Sequence, residues 1–246
     1  MDASWAIPLS AAGIAFVHTA LGVDHTLPFV ALSKARGWSP RKTIWITAIC
    51  GIGHVAASIV LALIGIALGW GIGRMEGLET GRGPIAAWVL TAFGFAYLLW
   101  GLRQGYRRRK GLNLHHHGGH VHLHFHGDDP HDHEHEHGST EVSQAAVPSA
   151  TESRSTFWVL FTIFVLGPCE PLIALFILPS SEGQWALAAW SALAFGVVTV
   201  ATMVGIVAAA VMGMSHVRFA PLEKWAEAIA GGVVAASGLA VLFLGI

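Results

Sequence analysis

Charged residues are scarce in this chain. Only 12% of its 246 residues are Asp, Glu, Lys or Arg, whereas 54% are hydrophobic. This composition is too apolar for an ordinary soluble domain and predicts an integral membrane protein. The formal net charge of -1 provides no basic surface, so we expect no nucleic-acid partner. The sequence also lacks a nucleotide-binding motif. We therefore expect any energy-requiring step to be driven by a proton gradient, the membrane potential or a partner.

Long apolar segments are abundant instead. A helix needs about 20 apolar residues to cross the hydrocarbon core, where only helices or closed barrels satisfy their own backbone groups. Six segments meet this requirement, and they cover residues 5–32, 43–70, 84–104, 157–179, 185–214 and 222–246. We therefore predict an all-α membrane protein with six transmembrane helices surrounded by lipid.

Basic residues are divided unequally between the two ends of these segments. Of the 14 Lys and Arg residues, all except Arg74 and Arg82 lie in or beside the linkers after segments one, three and five. Basic linkers tend to stay in the cytoplasm. We therefore predict a multi-pass protein of the cytoplasmic (inner) membrane, with these three linkers in the cytoplasm and both termini outside.

The chain contains an internal repeat. At an offset of 145 residues, Leu21–Leu27 aligns with Leu166–Leu172, and Gly51 aligns with Gly196. At an offset of 144, segments three and six match at Gly94, Ala96, Leu98 and Gly101, which fall on Gly238, Ala240, Leu242 and Gly245. Because three spans are an odd number, the two copies must enter the membrane from opposite sides. The pattern predicts two inverted three-helix repeats, residues 1–104 and 156–246, as in secondary transporters. The alternative is coincidence, since small residues recur wherever membrane helices pack.

The first segment carries three ionisable residues, His18, Asp24 and His25. Each costs roughly 3 kcal/mol inside a membrane, which favours a functional role. An intact helix would separate the two histidines by roughly 10 Å, but Gly22 permits unwinding and Pro28 weakens the helix. We predict a broken helix and a midplane site for Ni, Co or Zn, which suit imidazole better than Mg or Ca do. The alternative is a set of polar groups that only pack helices together.

Segments two and four carry further candidate ligands. His54 lies beside glycines that permit close helix approach, and it is interpreted either as a ligand or as a packed histidine. In segment four, Cys169 and Glu170 are bracketed by Pro168 and Pro171, which remove two helical hydrogen bonds and predict a second break. We expect Glu170 to bind the cation or to take up a proton when the cation leaves. The alternative is a purely structural role for the prolines.

The linker after segment three, residues 105–155, is rich in histidine. Eleven candidate metal ligands occur within 23 residues, namely His115, His116, His117, His120, His122, His124, His126, His131, His133, His135 and His137. Such tracts are typical of metal binding. Their alternation at period two also fits a strand, but the polar, glycine-flanked composition favours a disordered cytoplasmic arm that collects metal ions. The alternative is a solvated linker with no metal role.

These motifs resemble those of the nickel/cobalt permeases. The resemblance lies in residues 18–29, in Gly53-His54 and in residues 167–171, and it is strongest to the six-span branch related to urease-accessory membrane proteins and nickel/cobalt efflux proteins. It implies transport of a divalent metal ion, with His18, Asp24, His25 and His54 selecting the substrate. The chain departs from the best-known importers, because five residues rather than four separate His18 from Asp24. Metal preference and direction of transport are therefore left open.

Residues 167–171 are also similar to the Pro-Cys motifs of membrane thiol-disulfide electron carriers. Those carriers need cysteines at both repeat-equivalent positions, whereas Asp24 aligns with Cys169 and the only other cysteine is Cys50. We therefore expect a transporter without enzymatic activity.

The second alternative is an accessory or sensory membrane protein that binds metal through its linker and passes it to a cytoplasmic metallochaperone. Assembly as a homo-oligomer is compatible with either interpretation.

Overall fold

The computed structural model of the chain describes residues 5–109, 113–117, 120–124, 150–167, 169–214 and 224–245. Eight helices and one short antiparallel hairpin make up nearly all of this part of the chain. The helices are α1 (Ala6–Leu21), α2 (Val23–Arg36), α3 (Pro40–Ala67), α4 (Ile72–Arg109), α5 (Ala150–Leu166), α6 (Glu170–Ser181), α7 (Trp185–Met214) and α8 (Ala226–Leu244), and the strands are β1 (Asn113–His117) and β2 (His120–His124). The predicted all-α class is confirmed for the apolar segments.

Four helices, α3, α4, α7 and α8, are each long and apolar enough to cross a membrane. The pairs α1–α2 and α5–α6 meet the same criterion only as pairs, and they are bent by 49° and 47°. The molecule thus has four candidate spans, or six if each bent pair is one span. Large side chains such as Trp45, Trp88 and Trp190 are more than half exposed, as expected for a surface covered by lipid rather than water. A multi-pass membrane protein fits these features.

The first break lies at Gly22, as predicted. This residue is extended, with φ -68° and ψ 99°, between the end of α1 and the start of α2. Pro28, also assigned to the break from the sequence, instead lies inside α2 and does not interrupt it. Its missing N–H faces the carbonyl of Asp24 in the first turn, so the helix loses one hydrogen bond and continues.

The second break separates α5 from α6. Helix α5 ends at Leu166, Cys169 is the N-cap residue, and Pro171 lies in the first turn of α6. Proline is favourable at that position because its N–H would have no helical partner there. Pro168 falls outside the described residues. The predicted interruption in segment four is therefore present between Leu166 and Glu170.

Two apolar clusters pack above and below the middle of α3. One contains Cys50 and Phe164, and the other contains Val55 and Phe195. His54 lies between Cys50 and Val55 along the helix, so it falls where the clusters meet. Helix α3 packs against α5 and α7, while α4 packs along α8. The middle of the molecule is thus formed by α3, α7 and the two breaks.

The histidine-rich linker contains more regular structure than predicted. Helix α4 continues to Arg109, the hairpin follows, and α5 begins at Ala150. In the hairpin, His115 pairs with His122 and His117 pairs with His120. Helices α4 and α5 therefore reach into the two ends of the predicted linker, residues 105–155, and residues 113–117 and 120–124 are extended, where the alternating pattern also fits a strand. The remaining candidate ligands, namely His126, His131, His133, His135 and His137, lie outside the described residues.

Candidate metal centre

Three histidines from different helices meet in the middle of the molecule. The ring centroids of His18 and His25 are 5.1 Å apart, and those of His25 and His54 are 5.3 Å apart. One ring nitrogen from each can be chosen so that all three lie within 4.8 Å of one another. All three are candidate ligands from the sequence, with a packed role as the alternative for His54, and we refer to this group as the histidine centre.

The break at Gly22 brings His18 and His25 together. His18 is in the last turn of α1 and His25 is in the first turn of α2. An uninterrupted helix would place them roughly 10 Å apart along its axis, whereas the bend folds the two rings toward each other. A Cβ atom at Gly22 would overlap the His25 ring and would lie 3.1 Å from Asp24 Oδ1. Only glycine leaves room for this arrangement.

Asp24 orients the ring of His25. The Nδ1–H group of His25 donates to Asp24 Oδ1 over 2.8 Å. Because Nδ1 carries the proton, Nε2 presents its lone pair. A carboxylate that holds the far side of a histidine in this way is the usual outer partner of a metal ligand. Asp24 thus contacts the centre through His25, and it is not one of the three residues in the compact group.

A backbone carbonyl orients His54 in the same way. The Nδ1–H group of His54 donates to the carbonyl oxygen of Phe164 over 3.0 Å. Phe164 lies in the last turn of α5, and its carbonyl oxygen also accepts from the backbone N–H of Gly167 over 3.1 Å. The second break therefore contributes an acceptor to the centre, and His54 also presents Nε2 with its lone pair.

The three Nε2 atoms are buried and have no hydrogen-bond partner among the residues that the structure describes. His25 and His54 are only 4% and 2% exposed, and leaving such a polar atom unsatisfied costs about 1–3 kcal/mol. A metal ion among the three rings, which can each offer one nitrogen within 4.8 Å of the others, would supply the missing partner of each Nε2 atom that binds it. Metal-bound imidazole nitrogens lie about 2.0–2.1 Å from the ion, hence at most about 4.2 Å from one another. A small contraction of the centre would suffice to hold an ion.

A cavity of about 30 Å³ adjoins the centre. Asp24, His25 and His54 line one side of it, and Ala86 and Ala87 of α4 line another. This volume exceeds the one probe sphere that a single water molecule needs. The centre therefore has room beside it for an ion or its remaining water ligand.

The other predicted ligands lie elsewhere or are not described. Cys169 is fully buried in the apolar cluster that contains Phe195, and it is not part of the three-residue group. The side chain of Glu170 falls outside the described residues, although its backbone begins α6. Cys50, one turn before His54, is buried in the cluster that contains Phe164. The described ligand set is thus the three imidazoles.

Two contributors to the centre were missed by the sequence analysis. One is the Phe164 carbonyl, because a main-chain acceptor leaves no signature in the residue types. The other is Arg82 of α4, whose Nη2 donates to the carbonyls of Val165 and Gly167 over 2.8 and 3.3 Å. Arg82 thereby stabilises the carboxyl end of α5. Its separation in the sequence from the basic residues of the three linkers was a usable signal.

No family model matches the chain, and no curated protein or solved structure matches it either. The function is therefore argued from the histidine centre and the helices that form it.

Proposed function

We propose that this protein is a secondary transporter of a divalent transition-metal ion, with Ni²⁺ and Co²⁺ as the leading substrates and Zn²⁺ as a third. The observation that carries the proposal is the pair of Nδ1 contacts made by His25 and His54. Both rings donate through Nδ1, to Asp24 and to the Phe164 carbonyl, so that both Nε2 lone pairs remain available. Neutral imidazole is the preferred ligand of these ions. A helix-packing role would not require two oriented and unsatisfied nitrogens.

Transport, rather than permanent storage of a metal ion, is favoured by the position of the centre at two helix breaks. Discontinuous membrane helices supply the midplane sites of secondary transporters, because the ends of half-helices rearrange more readily than continuous helices. The bend angles of 49° and 47° are nearly equal. The histidine centre depends on both, through His18 and His25 at the first break and Phe164 at the second.

The proposed inverted repeat is supported by reciprocal contacts at glycines of α3 and α7. A Cβ atom at Gly51 would lie 3.4 Å from Val200, and one at Gly196 would lie 2.9 Å from Val55. Gly196 follows Gly51 by 145 positions, and Val200 follows Val55 by the same number. The same contact therefore occurs twice with the helices exchanged, as a twofold relation requires.

A second reciprocal pair joins α4 and α8. A Cβ atom at Gly94 would overlap Ala235, and one at Gly238 would overlap Thr91. Both members of this pair are related by an offset of 144, the offset found for segments three and six. Six spans in two inverted repeats therefore account for the contacts, and alternating access around a fixed centre is the mechanism this architecture supports.

Uptake by the purified chain in proteoliposomes tests the proposal. We expect wild-type protein to move Ni²⁺ or Co²⁺ down an imposed gradient, and His25→Ala to lower the rate about 100-fold or more, because a ligand is lost together with its outer partner. Ser237→Ala is the matched control, since Ser237 is as buried as His25 but bonds only the carbonyl of Val233 in its own helix. Equal rates for wild type and His25→Ala would contradict the proposal. Comparing Ni²⁺, Co²⁺ and Zn²⁺ under inward and outward gradients identifies substrate and direction.

An accessory or sensory role is the second candidate, and the histidine-rich linker favours it. Eleven histidines between His115 and His137 provide metal ligands apart from the centre. If the protein is a transporter, deleting residues 115–137 should shift the apparent affinity but leave uptake in place. If the linker only passes metal to a partner, the purified wild-type chain should move no ion across the vesicle membrane.

A further inference from the structure

Four buried hydroxyl groups on the helices of the histidine centre and on α7 have no hydrogen-bond partner within the described part of the chain. They belong to Thr19 of α1, Ser58 of α3, and Ser191 and Thr199 of α7, each 0% exposed. Ser and Thr in membrane helices ordinarily donate to the carbonyl four residues earlier. An unsatisfied buried hydroxyl costs about 1–3 kcal/mol, so such groups are expected to contact water or an ion.

Burial alone does not explain the missing partners. Thr47 of α3 is also 0% exposed, yet its hydroxyl donates to the carbonyl of Thr43 over 2.9 Å. Thr43 is likewise fully buried, and its hydroxyl donates to the carbonyl of Ser39 over 3.1 Å and contacts Ser33 Oγ at 2.8 Å. The buried hydroxyls of α3 on this side of His54, those of Thr43 and Thr47, are both satisfied within the protein. The unpartnered hydroxyl of α3, on Ser58, lies on the other side.

Ser58 and Ser191 lie at a similar depth in the membrane. Helices α3 and α7 are antiparallel, because Gly51 faces Val200 whereas Val55 faces Gly196. From that second contact, Ser58 is about 4.5 Å further along α3 and Ser191 about 7.5 Å further along α7, in the same direction. That direction leads to the membrane face where α3 ends at Ala67 and α7 begins at Trp185, called here the Ala67 face.

Thr19 and Thr199 connect this pair to the histidine centre. Thr19 follows His18 directly, and the His18 ring lies 6.5 Å from the ring of Phe195, one turn from Thr199 on α7. Thr199 also occupies the position 145 residues after His54, so it is the counterpart of that ligand in the proposed repeat. By the same register, Thr199 lies about 3 Å from the level of His54, on the side away from the Ala67 face. Thr19 and Thr199 therefore mark the level of the centre, and Ser58 and Ser191 lie from there toward the Ala67 face.

We infer that Ser58 and Ser191, with Thr19 and Thr199, line a water-accessible route between the histidine centre and the Ala67 face, through which a hydrated divalent cation passes. The identity of the ion rests on the proposed function, whereas access of water to the route does not. Towards the opposite face, the buried hydroxyls of α3, on Thr43 and Thr47, already donate to backbone carbonyls. Under the predicted orientation, the Ala67 face is the outer one.

Cysteine accessibility in membrane vesicles tests this inference. The variants are Ser58→Cys and Ser191→Cys, and the matched control is Thr47→Cys, which is as buried but starts from a satisfied hydroxyl. A small cationic methanethiosulfonate reagent reports access, and wild type gives the background because Cys50 and Cys169 are both buried. We expect both serine positions to react about tenfold faster than the control, since thiol modification depends on access. Rates equal to the control at both positions would overturn the route.

Adding Ni²⁺ separates the route from the proposed function. Bound metal should slow modification of Ser58→Cys, which lies one turn from His54, and should have no effect when His25→Ala is also present. Fast modification that Ni²⁺ never slows, in a chain that moves no ion, would contradict metal transport and still support a water-accessible route. Slow modification in a chain that transports Ni²⁺ would overturn the route and leave the proposed function standing.

Discussion

The two helix breaks have nearly the same backbone bend but contribute different chemistry to the histidine centre. The first break contributes side chains, because His18 and His25 flank Gly22 and Asp24 orients His25. The second contributes main-chain oxygen, because the carbonyl of Phe164 orients His54. The two bends are therefore alike in angle, and only the first is flanked by histidines of the centre. The second break instead orients His54 through the Phe164 carbonyl, and we call such an orienting or stabilising group a support.

The supports of the two breaks differ as well. At the first, Asp24 follows the glycine by two residues and contacts the ligand directly. At the second, Arg82 reaches from α4 to the carbonyls of Val165 and Gly167. Substitutions at the first break should therefore affect metal binding, and those at the second should affect mainly stability. Four variants test this division.

The largest difference is expected between Gly22→Ala and Gly167→Ala. A methyl group at Gly22 would collide with the His25 ring, whereas one at Gly167 would lie 3.3 Å from His54 Nδ1 and 3.2 Å from the Phe164 carbonyl. We expect Gly22→Ala to weaken Ni²⁺ or Co²⁺ binding about 100-fold and Gly167→Ala only about threefold, since displaced ligands cost more than tight contacts. Calorimetric titration of the purified proteins measures both.

Gly13→Ala is the control for the first of these variants. Nothing lies within 4 Å of a Cβ atom at Gly13, so alanine should be neutral or slightly stabilising in that helix. Equal affinities for Gly22→Ala and Gly13→Ala would refute the role assigned to the first break.

Asp24→Asn removes the charge of the first support but keeps its shape. The amide oxygen still accepts from His25, more weakly than a carboxylate does. Loss of an outer partner of this kind typically lowers metal affinity by about 10-fold to 100-fold. Titration with Ni²⁺ or Co²⁺ checks the size of the effect. An unchanged affinity would show that His25 keeps its orientation without the carboxylate.

Arg82→Gln tests the second support. It removes a charged donor from the carbonyls of Val165 and Gly167, and such bonds contribute about 1.5–3 kcal/mol when well buried. Because Arg82 is only partly buried, we expect about 1 kcal/mol of lost stability, seen as a lower midpoint of thermal unfolding in detergent. Metal affinity should stay within about threefold, since neither histidine partner is altered. A loss of affinity comparable with that of Asp24→Asn would contradict the division between the two breaks.

Much of this arrangement was predictable from residue types, because membrane segments restrict what a sequence can contain. The apolar runs gave the helices, and the glycine between two histidines gave the first break together with the pairing of His18 and His25. His54 was found because an ionisable residue in such a segment is costly. Phe164 escaped, since its contribution is a carbonyl that every residue has. Thr199 could have been found by applying the offset of 145 to His54.

Proline was the least reliable signal. Pro28 and Pro171 looked alike in the sequence as markers of a break, yet Pro171 begins α6 and Pro28 lies within α2. The difference is one of position in the helix, because a proline near the first turn removes few hydrogen bonds. The sequence alone did not locate the start of α2 precisely enough to distinguish the two cases.

The smallest effect is therefore expected for Pro28→Ala. If the first break depends on Gly22, replacing Pro28 restores one N–H group inside an already continuous helix, and metal affinity should change by no more than about twofold. Stability should change by about 1 kcal/mol or less in either direction, because the gain of a hydrogen bond is offset by a more flexible unfolded chain and by lost packing of a buried ring. Unfolding and metal titration on the same preparation measure both quantities. A loss of affinity close to that of Gly22→Ala would mean that Pro28 also holds the bend. The residues that maintain the first break would then extend from Gly22 through the first two turns of α2.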